Sequence, residues 1–77
     1  MNKARRKWLS TIVESLENAK YEIESVRDEE QDCFDNLPEG IQYSERGDEM
    51  EENISTMEDA LSNIDDAIEY INDVLDK

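Results

Sequence analysis

Met50, Ile54, Met57, Leu61, Ile64, Ile68, Ile71 and Leu75 follow one another at alternating spacings of four and three residues. An average of about 3.5 places all eight on one stripe of a helix that packs against another helix. Earlier in the chain, Leu9, Ile12, Leu16, Ala19, Ile23, Val26, Glu30 and Cys33 alternate three and four, and Glu30 is the one charged interruption. The pattern predicts a first helix over about 3–34, a turn over about 35–43 and a second helix over about 44–75. The expected fold is all-α: an antiparallel two-helix hairpin, coiled-coil-like, in a single domain spanning 1–77. A short connection makes consecutive helices antiparallel neighbours.

The helix ends carry local signals. Asn2 can cap the first helix, because its side-chain oxygen can accept a free first-turn N–H. Pro38 disfavours the helical region for the residue before it, so the first helix must stop short of it. Asn36 followed by Glu39 resembles a capping box, which predicts one helical turn over roughly 37–42. Phe34, Leu37 and Ile41 would then plug the end of the core. Ser44 is the expected cap of the second helix, with Glu45, Asp48 and Glu49 at the positive end of its dipole. Gly47 is read here as a weak point, costing about 1 kcal/mol relative to Ala.

The apolar pattern is wider than one partner helix can cover. Ala60, Ala67 and Val74 flank the seam of the second helix, and Trp8, Val13 and Phe34 flank that of the first. Of these, Trp8, Val13, Ala60, Ala67 and Val74 are the candidate self-association residues. The expected assembly is a homodimer in which two hairpins form a four-helix bundle. The alternative is partial exposure on a marginal monomer, since a chain of 77 residues buries only a small core.

Charge sharpens this picture. The formal net charge is −14, with 39% of residues charged. Without the periodicity, that composition would indicate disorder. From Asp28 to Asp59 there are 13 carboxylates against one base, Arg46. Lys3, Arg5, Arg6 and Lys7 make the start basic. In an antiparallel hairpin that start lies beside Asp65, Asp66, Glu69, Asp73 and Asp76, which favours the antiparallel register. An acidic chain repels nucleic acid and anionic membranes and attracts basic protein surfaces. No apolar run reaches the ~18 residues of a membrane span. The basic start lacks a continuous apolar core and a small-residue cleavage site, so a cytoplasmic location is expected. Cys33 has no second cysteine to pair with, which fits a reducing compartment; its seam position suggests a small core residue, the alternative being a contact or redox thiol at the end of the bundle.

Little in the chain suggests catalysis. There is no His, and the serines have no evident activating base. Helical di-metal sites need Glu-x-x-His motifs, which are absent, and Asp32 to Gly40 does not fit a calcium-loop spacing. No catalytic, metal or cofactor site is assigned, and the protein is expected to be a non-enzyme. Two charged candidates remain. The carboxylates Asp28, Glu29, Asp32, Asp35, Glu39, Glu45, Asp48, Glu49, Glu51 and Glu52 form a candidate partner-binding surface that could imitate a phosphate backbone on a basic groove. Arg5, Arg6, Lys7 and Trp8 form a candidate anion contact, with Trp8 stacking on a base. Each has a plainer reading: a solvated surface for the acids, and neutralisation by the second helix for the bases. Tyr21 and Tyr70 fall on outward positions.

The stretch Phe34-Asp35-Asn36-Leu37-Pro38-Glu39-Gly40-Ile41-Gln42-Tyr43-Ser44-Glu45-Arg46-Gly47 resembles a family of small acidic proteins carried by phages and prophages of Gram-positive bacteria. The turn and the start of the second helix carry the match; the long helices are similar mainly in their acidic heptads. The resemblance implies a viral or prophage accessory protein in the bacterial host cytoplasm, and carries over no site residues. The expected function is a protein-interaction module that binds a basic host protein through its acidic surface, as a nucleic-acid mimic or an inhibitor of host defence. A structural, oligomerising helical protein is the alternative. A further alternative is an oligomer that sequesters a small anionic nucleotide at the basic end.

Overall fold

The computed structural model describes residues 1–77. Helix α1 runs over Lys3–Asp35, the single turn α2 over Glu39–Gln42, and α3 over Glu45–Leu75. α1 and α3 pack along their length into a rod of 58 × 15 × 13 Å. Their direction is antiparallel: Glu30 meets Asn53, Lys20 meets Asp65, and Arg6 meets Leu75.

Asn2 caps α1 as expected, its side-chain oxygen accepting the Arg5 N–H at 2.8 Å. The far end of α1 is closed differently from the capping-box expectation. Asn36 is the C-cap, and its N–H reaches the Asp32 carbonyl. The N-cap of α2 is Pro38, with no side-chain cap bond. Gln42 does the closing work. Its amide donates to the Phe34 carbonyl at 3.1 Å and to the Asp35 carbonyl at 3.4 Å, which would otherwise be free at the helix end. Ser44 stands at the N-cap of α3 in extended backbone, but its hydroxyl donates to the Ile41 carbonyl instead of accepting from α3. Phe34 and Leu37 are half-buried at this end, whereas Ile41 is exposed.

Gly47 is not a weak point. It is buried, and a Cβ built on it would lie 2.0 Å from the Gln42 carbonyl oxygen and 2.8 Å from that of Ile41. The backbone of α2 rests directly on the first turns of α3 at this residue. Only a residue without a side chain permits that approach.

All eight seam residues of α3 are buried or half-buried, with Ile54 and Leu61 the most enclosed. The face of α1 differs from expectation. Val13 is buried, and Arg6, Leu9, Leu16, Ala19, Lys20, Ile23, Glu24, Arg27, Glu30 and Phe34 are half-buried on α1. Ile12, Val26 and Cys33 are exposed, Val26 by 55%. Leu9, Leu16, Ile23 and Glu30 keep their seam positions, while Val13 and Arg27 take the places of Ile12 and Val26, and Lys20 joins a half-buried Ala19 that stays at the edge of the seam. The contact face is thereby turned by about 50°, half the ~100° step between residues. Lys20 and Arg27 make this workable, because their aliphatic stems cover apolar surface while the charged heads reach water. Two corrections result. Val13 belongs to the core inside the hairpin and cannot serve as a self-association flank. Cys33 is a surface thiol, not a core residue.

The core is thin. Val13, Ile54 and Leu61 are the only buried apolar side chains, and no large side chain is fully enclosed.

Candidate functional site

The turned seam gives the rod two unlike sides. On one, Ser10, Glu17, Glu24 and Gln31 of α1 share a side with Glu58, Asp65 and Asn72 of α3 by heptad position, and Lys20 Nζ bonds Asp65 at 2.6 Å. On the other, Ala19, Ile23 and Val26 of α1 line a shallow hollow with Met57 and Ala60 of α3. This side continues toward the open end of the hairpin, where Trp8 and Ile12 line a second hollow with Met1, Leu9 and Arg5. Toward the turn it continues past Val26 and Met57 to Glu30, Glu52, Asn53 and Thr56. Ala67 and Val74 extend it along α3 at the same heptad position as Ala60. Trp8 is 68% exposed, a large apolar surface to leave in water. Of the five self-association candidates, Trp8 and Ala60 lie on this side, Ala67 and Val74 share it by register, and Val13 does not.

The second surface is the acidic end. Asp28, Glu29, Asp32, Asp35, Glu39, Glu45, Asp48, Glu49, Glu51 and Glu52 are all exposed. Among them only Asp28 has an ion-pair partner, its neighbour Arg27 at 3.1 Å. Asp35 accepts the Gln31 side-chain amide, which leaves its charge uncompensated. Glu30 accepts from Asn53 at 3.4 Å. Because the carboxylates on this end repel one another across water, added salt should raise the melting temperature by screening them. Thermal melts in rising sodium chloride test this; a falling melting temperature would contradict it.

The basic start lies at the end of the hairpin where α3 finishes, but none of Lys3, Arg5, Arg6 and Lys7 forms an ion pair with the acids there. Arg6 instead donates to the Leu75 carbonyl, at the negative end of the α3 dipole, and Asp65 goes to Lys20. Nor do the four anion candidates converge. Arg6 reaches across the seam, whereas Arg5 and Trp8 share the hollow on the apolar side. Tyr21 and Tyr70 are exposed, as their outward positions suggested.

The hydrogen bond from Lys20 to Asp65, helped by the nearby charge of Asp65 and opposed by desolvation, raises the Lys20 pKa above 10.5. A raised folded-state pKa makes the stabilisation by Lys20 fully present below 10.5, the model-peptide value, and lost as pH rises through the folded one. The stability difference between the native chain and Lys20→Met should therefore be constant from neutral pH to about 10 and shrink above it. Urea titrations across that range measure it; a difference that persists at the alkaline end would show that the ammonium charge is not its source.

No three His, Cys, Asp or Glu side chains converge in a geometry that could hold a metal ion. No helix is long and apolar enough to cross a membrane. Comparison with protein-family models, curated proteins and solved structures returns no match.

Proposed function

We propose that this chain is a non-enzymatic interaction module, a phage or prophage accessory protein of the bacterial cytoplasm, which binds a basic host protein through its acidic end. The observation that carries this reading is the set of ten exposed carboxylates around the turn end, nine of them without an ion-pair partner, held on a helical frame. Fixed like charges on a rigid rod attract a basic groove and speed encounter with it. The viral origin rests on the resemblance of the turn segment. The test is affinity capture from a Gram-positive bacterial lysate beside a variant carrying Glu49→Lys, Glu51→Lys and Glu52→Lys. Retention at low salt that is lost at high salt and in the variant supports the reading. Equal capture by both proteins contradicts it.

Self-association of two hairpins into a four-helix bundle belongs to the same proposal. It is favoured by the thin core and by the apolar side that α1 and α3 leave uncovered. Sedimentation equilibrium should give the mass of two chains.

A further inference from the structure

The apolar side of the hairpin is polarised along its length. Its open end carries Arg5. Its middle is bordered by Glu22, and its turn end by Glu30 and Glu52. A second copy can cover this side with two-fold symmetry in only two ways. With the dyad along the rod, acidic turn end lies on acidic turn end. With the dyad across the rod, the basic open end of each copy lies on the acidic turn end of the other.

The geometry points to the second arrangement: an antiparallel homodimer in which α1 packs on α1 and α3 on α3 across the uncovered apolar side. This rests on the self-association proposed above and adds its surface, register and direction. The residue spacing supports it. Position 19 is the middle of α1, and the stripe through it is Arg5, Ile12, Ala19, Val26 and Cys33. A dyad at Ala19 sets Ile12 beside Val26 of the second copy, and Arg5 at the level of Cys33, one turn from Glu30. At the height of Ala19, as the contacts of Lys20 with Asp65 and of Glu30 with Asn53 fix it, α3 presents the stretch between Ala60 and Ala67, so the same dyad passes between these two alanines. Ala19 on α1, and Ala60 and Ala67 on either side of the crossing on α3, leave small side chains near the dyad, so the backbones can approach closely. Trp8 arrives over the hollow that Val26, Thr56 and Met57 line near the turn. A stripe along the 58 Å rod and ~10 Å wide offers on the order of 600 Å² per copy, close to the ~800 Å² per partner of a standard interface. The opposite side, with Glu17, Glu24 and Glu58, offers no comparable apolar surface.

The single native cysteine permits a direct test, because Cys33 is exposed near the turn. A nitroxide label on Cys33, read by pulsed dipolar spectroscopy, reports the direction of packing. The antiparallel dimer separates the two labels by about 40 Å, twice the rise over the residues between 19 and 33 at ~1.5 Å each. The parallel dimer brings them within about 20 Å, since packed helices lie ~10 Å apart. A short distance overturns the antiparallel inference and leaves the self-association reading standing. Absence of any dipolar signal, with a single-chain mass in sedimentation, overturns both. Two variants check the surface. Val26→Glu should weaken dimerisation more than about tenfold while α-helical circular dichroism is kept, because that side chain is not needed inside the hairpin. Arg5→Glu should weaken it about tenfold, and adding Glu52→Arg, at an exposed residue of the turn-end hollow, should restore it, since the swap recreates the cross-copy charge pair. Dimerisation unchanged by Val26→Glu, or no rescue in the double variant, would show that another surface is used.

Discussion

Gly47→Ala is expected to lower the melting temperature by on the order of 10 °C, although alanine is the better helix former. In an ordinary mid-helix site the change would add about 1 kcal/mol of stability. At Gly47 the new methyl would meet the Gln42 carbonyl oxygen at 2.0 Å and its carbon at 2.6 Å. The obstacle is backbone, not the free end of a side chain, so the relief must come from moving α2 as a unit. That movement also pulls Gln42 from the Phe34 and Asp35 carbonyls, and so loosens the end of α1. Overpacking of this kind costs typically ~1–3 kcal/mol, occasionally more. A net loss of about 2 kcal/mol corresponds to roughly 10 °C in a domain this small. Gly40→Ala is the control, because nothing lies within 4 Å of a Cβ there. It should leave stability unchanged or raise it by up to ~1 kcal/mol. Thermal melts of the two variants decide the matter. If Gly47→Ala melts no lower than Gly40→Ala, the close packing of α2 on α3 is wrong.

Gly47 also illustrates where the amino-acid pattern stops being readable. Periodicity depends on chemistry that repeats, so the helix extents and the seam of α3 were legible to within a residue or so. A backbone-on-backbone approach leaves no periodic trace, and the glycine looked like a flaw in α3. Gln42 was missed for a related reason: an amide that closes a helix eight residues earlier has no local signature. The face of α1 is ambiguous in the pattern, because its apolar residues fit more than one seam. Two overlapping stripes exist, Leu9–Val13–Leu16–Ile23 toward α3 and Ile12–Ala19–Val26 beside it. The second is the more continuous only because Lys20 and Arg27 interrupt the first. A seam can accept such residues when their stems pack and their heads escape. The acidic end, by contrast, was legible as a charge run, since exposure of ten carboxylates on a two-helix rod follows from composition alone. A stripe that is apolar but not needed inside the hairpin has a physical reason to exist if something else covers it, which is why Val26 and Ile12 bear on assembly.

Leu61→Ala is expected to be the most damaging truncation in the chain, and its contrast with Val26→Ala separates the two stripes. Leu61 is the most enclosed apolar side chain, at 6% exposure, on the face of α3 that meets α1. Removing its branched end deletes buried methyl groups and leaves a gap that two stiff helices cannot easily close. Such changes cost about 2–5 kcal/mol, comparable to the whole net stability of a domain of this size, ~3–5 kcal/mol. The dilute variant should therefore be largely unfolded at 37 °C, seen as lost helical ellipticity. Val26 is 55% exposed in the single hairpin. Its truncation should cost within about 0.5 kcal/mol when the chain is dilute. If a second copy covers it, the penalty must grow with concentration, because association stabilises only the folded form. Chemical denaturation at two widely separated concentrations reads both effects. Equal penalties for the two variants at low concentration would place Val26, and not the Val13 face, against α3. A Val26→Ala penalty that stays small at every concentration would leave the apolar side without a partner.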